Sequence, residues 1–149
     1  MKQFDIQSDE KYLDDVAKFI YELCDEMHIL NYEATISMPV LQAVENAIVH
    51  GNHKDLSKIV HIECDDVRGG LSFLIQDQGN GFDFSKYGDI LDNGGNGIFM
   101  MRKLSDKLEF LDGGRTVRME FMIQGIEKTY AMERVSKLRG FFAVDKAVV

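Results

Sequence analysis

Several things are scarce in this chain, and each scarcity excludes something. One proline, Pro39, stands in 149 residues, and no stretch is rich in serine and glycine, so nothing marks a linker between two folding units. Cys24 and Cys64 are the only cysteines and have no paired-motif spacing. The expectation is two reduced thiols in a cytoplasmic protein rather than a disulfide framework. No apolar run approaches the roughly 18 residues that mark a membrane helix, and the opening MKQFDIQSDE lacks an apolar core. Neither a membrane span nor a signal peptide is expected. Positive charge is also short. The net charge is -8, which disfavours nucleic acid as a direct partner.

What is present is ordinary for one globular domain: 45% apolar and 28% charged residues, enough chain to bury a core without cross-links. Residues 3–7 alternate and predict a short strand. Ser8 reads as an N-cap for a helix over about 9–27, with Asp9 and Glu10 in its first turn. His28 to Thr35 reads as a connector, and a central helix follows with Pro39 near its start. Residues 59–65 and 71–77 predict a hairpin turned at Val67 to Gly70. A glycine-rich irregular segment, 78–96, is long enough to be functional. A helix over 97–106 and a second antiparallel pair, 107–111 and 115–123, complete a domain over 1–124. The tail 125–149 reads as an extension with an amphipathic pattern. The order β-α-α-β-β-loop-α-β-β predicts an α+β two-layer sandwich: a mixed or antiparallel sheet with helices on one face.

Three polar stretches stand out against this frame. In the central helix, Ile36, Val40, Val44 and Ile48 form an apolar stripe, while Gln42, Asn46 and His50 stack on another face before Gly51. Gly51 reads as the helix stop, taking the left-handed conformation. Asp77 to Gly81, Asp-Gln-Gly-Asn-Gly, sits at a strand end. There a carboxylate can accept a hydrogen bond from an exocyclic amine, and glycines let backbone approach a flat ring. Gly94 to Gly97, Gly-Gly-Asn-Gly, opens a helix, where bare N–H groups favour phosphate. Singly, each is an ordinary turn or solvated face.

Together and in this order, the three stretches resemble the Bergerat-fold (GHKL-type) ATPases, a superfamily that includes gyrase and the sensor histidine kinases. Asn46 to Asn52, Asp77 to Phe82 and Gly95 to Met101 look most like the bacterial anti-sigma-factor serine/threonine kinases, over roughly residues 3–123. The resemblance implies a histidine-kinase-like ATP-binding domain that binds ATP or ADP with Mg²⁺. Asn46 would ligate the metal and Asp77 the adenine amine. Gly79 and Gly81 would line the base pocket. His50, Gly95, Asn96 and Gly97 would lie near the nucleotide, and 82–94 would be a lid with Lys86 as its cation. It further implies a homodimer that phosphorylates an anti-sigma-factor antagonist and binds a sigma factor when the antagonist is unavailable.

Two positions depart from that family. Gln42 stands where the family places a glutamate as general base, and an amide cannot take a proton at neutral pH. Loss of a base typically costs about 10²–10⁴-fold in rate. Glu45 is close in sequence but points roughly 100° around the helix from Asn46. After Gly114 stands Arg115 where the family has threonine, with Thr116 one residue later and, by strand parity, facing the other way. Parity also sets His61 and Cys64 on opposite faces, against a shared zinc site, and Met100 and Met101 read as core.

Overall fold

The computed structural model describes residues 1–84 and 96–123. Five strands form one sheet: β1 (Lys2–Gln7), β2 (Ile59–Val67), β3 (Gly70–Gln76), β4 (Lys107–Leu111) and β5 (Thr116–Met122). Their order is β1-β2-β3-β5-β4, and every neighbouring pair is antiparallel. Register follows the alternation of side chains. Ile62 sits opposite Ile75, and Ile75 opposite Val117. Val60, Ile62, Phe73, Ile75, Met119 and Phe121 are buried on one face, while Glu63, Ser72, Leu74, Arg118 and Glu120 on the other are half-exposed. A one-residue slip would exchange these faces, so the apolar alternation holds the register.

The buried face is covered by α1 (Leu13–Glu26), α2 (Glu33–Asn46) and α3 (Asn96–Leu104), with α2 packed between α1 and α3. The element order is the expected one, and the α+β two-layer architecture stands. Val16, Ile20, Leu23 and Cys24 form the inward stripe of α1. Ile36, Val40, Val44 and Ile48 are completely buried. Burying a side chain of that size stabilises by about 1.5–3 kcal/mol. That burial explains why Pro39 is tolerated.

Helix α2 begins at Glu33, not after Thr35, so Pro39 lies in its interior and is itself buried. Its missing N–H leaves the Thr35 carbonyl without the usual helical donor, a cost of about 3 kcal/mol. Three other local expectations give way. Asp9, not Ser8, is the cap: its Oδ1 accepts from the Lys11 N–H at 3.0 Å at the head of a 3₁₀ turn over Glu10–Tyr12. Ser8 is buried and donates instead to the Lys58 carbonyl at 2.8 Å. At its far end α2 widens into a π turn, Ala47–Gly51, closed by Asn52 N–H to the Ala47 carbonyl at 2.8 Å. Finally, Gly51 is not left-handed; His53 (φ 53) and Lys54 (φ 59) take that role. The tail 125–149 and most of the expected lid, with Lys86 and Gly95, lie outside the described residues.

Candidate nucleotide-binding site

Gly51 is small for a different reason. A Cβ there would overlap the carboxylate of Asp77, and a Cβ on Gly79 would overlap the Gly51 carbonyl. These two glycines let the end of α2 and the exit of β3 touch backbone to backbone. The contact is fastened by Asn52, which is completely buried. Its Nδ2 donates to Ser8 Oγ (3.0 Å) and to the Ile59 carbonyl (2.9 Å), and its Oδ1 accepts from the Gln78 N–H (2.7 Å). One side chain thereby joins the end of β1, the start of β2, the exit of β3 and the end of α2.

This junction floors a cavity of about 480 Å³, within the usual range for a small-molecule site. Gln42, Asn46 and His50 form one wall, all from the polar face of α2 and its π turn. Asp77 and Gly81 come from the β3 exit, Gly97, Ile98 and Met101 from α3, and Gly114, Arg115 and Val117 from the entry to β5. Phe82 and Phe110 close the apolar side edge to face, with ring centroids 5.3 Å apart. The cavity is thus apolar, with a few polar groups at defined places.

Asp77 is the one acidic side chain lining the cavity among the described residues. Its backbone N–H is held by the Arg115 carbonyl at 2.9 Å. Its Oδ1 accepts from the Gly79 N–H at 2.8 Å. Burial pushes its carboxyl above the usual range, while the Gly79 N–H and the Arg115 guanidinium pull it back. An anionic acceptor held half-dry by backbone suits a ligand that brings its own N–H donors.

Gln42 lies across the other end. Its Nε2–H donates to Asn46 Oδ1 at 3.2 Å. Its side chain presses on the start of α3 so closely that a Cβ on Gly97 would stand 2.8 Å from Gln42 Cγ. Glycine at 97 is therefore a steric need. Asn46 Oδ1 keeps a second lone pair, enough for one oxygen ligand to a hard cation that retains water and borrows phosphate oxygens. No group of three or more His, Cys, Asp or Glu side chains among the described residues could hold a metal by itself. The residues present fit Mg²⁺ only as a companion of a phosphate ligand.

Other expected site residues fall elsewhere. Glu45 does not line the cavity; its charge is felt by Lys54 instead. Gly79 faces Gly51 rather than the cavity, and Gly81 (φ 80) needs its freedom to sit against the Gly113 carbonyl. Thr116 is buried but absent from the lining, because its neighbours Arg115 and Val117 take the cavity side. The Asn96 backbone opens α3, while its side chain, like Lys86 and Gly95, lies outside the described residues. His61 and Cys64 do lie on opposite faces, and Met101 is core.

Sequence reasoning missed the roles of Asn52, Phe82 and Phe110, and it missed Gln42 as the neighbour of Gly97. The only signal for Asn52 was its place directly after Gly51. No curated protein matches the chain. The model of one family, described as the histidine kinase-like ATPase domain, matches residues 6–121. That span takes in the Asn46 face, the Asp77 exit and the start of α3, so the chain belongs to the histidine kinase-like ATPase domain family, and nucleotide binding is what this membership implies.

Proposed function

We propose that this protein binds ATP and ADP with Mg²⁺ and acts as an anti-sigma-factor-type serine/threonine kinase working by partner switching. Its protein substrate would be an anti-sigma-factor antagonist, and it would work as a homodimer that holds a sigma factor when the antagonist is unavailable. The observation that carries the nucleotide reading is the convergence of Asp77, Asn46 and the start of α3 on one cavity. Asp77 accepts the exocyclic amine of the base. Phe82, Phe110, Ile98 and Met101 exclude water from its faces. The N-terminal end of α3, bare of side chain at Gly97, receives the phosphates. Mg²⁺, bound with the nucleotide, would offset phosphate charge, and Asn46 Oδ1 is the protein oxygen placed to hold it.

Gln42 supports a second reading: a nucleotide-gated binding module in which transfer is very slow. No described carboxylate other than Asp77 lines the cavity. The residue beside Asn46 is an amide that donates a proton where a base must accept one. ATP or ADP release, measured for wild type and Gln42→Glu with binding verified in both, separates the readings. In the kinase reading the wild type turns over. In the module reading it is silent and Gln42→Glu gains about 10²-fold or more. Failure of both proteins to bind any adenine nucleotide would remove both.

A further inference from the structure

Arg115 is unlike the rest of the lining. It is the one cation among the described residues that line the cavity, and it enters directly beside Asp77, whose N–H its own carbonyl holds. Its side chain is anchored from behind. Nε donates to Asp112 Oδ2 at 3.1 Å and Nη2 donates to Asp112 Oδ1 at 2.8 Å, so the guanidinium is gripped along one edge. A guanidinium carries five N–H donors, and this grip uses two. The anchor is built into the turn: Asp112 (φ 51), Gly113 (φ 66) and Gly114 (φ 95) are all left-handed, and the Arg115 N–H returns to the Asp112 carbonyl at 3.2 Å.

The base end of the cavity therefore offers an acceptor that cannot donate beside a donor that cannot accept. We infer that Arg115 contacts the nucleobase directly, as a specificity-determining residue that admits guanine as well as adenine nucleotides. Adenine brings the N6 amine to Asp77 and the ring acceptor N1 to Arg115. Guanine brings its N1–H and N2 amine to Asp77 and the acceptor O6 to Arg115. In each case one edge supplies donors to the carboxylate and an adjacent acceptor to the cation. A neutral hydroxyl at position 115 would meet O6 with a weaker bond than a charged donor does. Asp112 is a positioning residue in this arrangement. The inference rests on the nucleotide-binding reading and names what that site discriminates.

The test is the ratio of GDP to ADP dissociation constants, measured by calorimetric titration of the full chain with Mg²⁺. Wild type, Arg115→Thr and Arg115→Lys are compared, with folding followed by thermal melts. The expected result is GDP within about tenfold of ADP in the wild type. The ratio should rise at least about tenfold in Arg115→Thr, the scale of one charge-assisted hydrogen bond, and stay near wild type in Arg115→Lys. A wild type that binds ADP more than about 100-fold tighter than GDP overturns the inference and leaves the adenine reading intact. So does a ratio unmoved in a folded Arg115→Thr. If neither nucleotide binds, the nucleotide reading falls and this inference with it. A variant that fails to fold changes nothing, because the wild-type ratio decides alone.

Discussion

Asp77 concentrates the conflict between stability and use at the residue scale. Its carboxyl is pushed upward by burial, so the ionised form needed to accept an amine proton is disfavoured before a ligand arrives. Asp77→Asn keeps an oxygen for the Gly79 N–H but removes the charge. We expect it to weaken ATP and ADP binding by about 10–100-fold, the loss of one charge-assisted hydrogen bond. The empty protein should melt at a higher temperature than wild type. Titration and a thermal melt of the same sample check both. Unchanged affinity would take Asp77 out of the base site. The two cysteines show the opposite case. Burial pushes Cys24 up to about 11 and Cys64 up to about 12, which makes both poor nucleophiles in the folded chain.

The elements meet at Asn52. Its three hydrogen bonds tie α2's end to β1, β2 and β3 in one buried place. Asn52→Ala would strand the Gln78 N–H and the Ile59 carbonyl and leave a void. A cost of about 2–4 kcal/mol in unfolding free energy is expected by denaturant titration. Because the same junction seats Gly51 against Asp77, nucleotide affinity should fall too, even though Asn52 does not line the cavity. A loss of stability under about 0.5 kcal/mol, the scale of an ordinary surface change, would show that the junction is redundant.

At the scale of the whole molecule, edge strand β1 is held to the sheet by a charged clamp. His61 on β2 meets Asp5 of β1 through Nδ1 at 2.5 Å and Glu63 through Nε2 at 3.0 Å. Those two carboxylates raise the imidazole's affinity for its proton against a small opposing effect of burial. The folded protein thus binds this proton more tightly than the unfolded chain does. The clamp's stabilisation is complete below the unfolded value of about 6.5 and fades as pH rises through the raised folded value. Denaturation of wild type and His61→Gln across about pH 6 to 8.5 checks this. The wild type should lose its advantage toward the alkaline end, and parallel curves would exclude the clamp.

Much of the fold was legible because its signals are local. Strands β2 to β5 lie within a residue or two of where alternation and glycine turns place them. The stripe of Ile36, Val40, Val44 and Ile48 is buried as its spacing requires. The errors also have local origins. Pro39 reads as a helix start because propensity opposes it elsewhere, and only the packing of α2 between α1 and α3 overrides that. Gly51 reads as a cap because conformational freedom is the property of glycine a sequence advertises, whereas this one is needed for the approach of Asp77 from 26 positions away. By itself, the order of residues determined the element types, the inward faces and the three polar stretches, since periodicity and turn chemistry act between near neighbours. Tertiary structure alone decided that Gln42 lies against Gly97, that Asn52 joins four elements and that Arg115 rather than Thr116 enters the cavity. Each of these depends on chain segments brought together only when the sheet and helices close on one core.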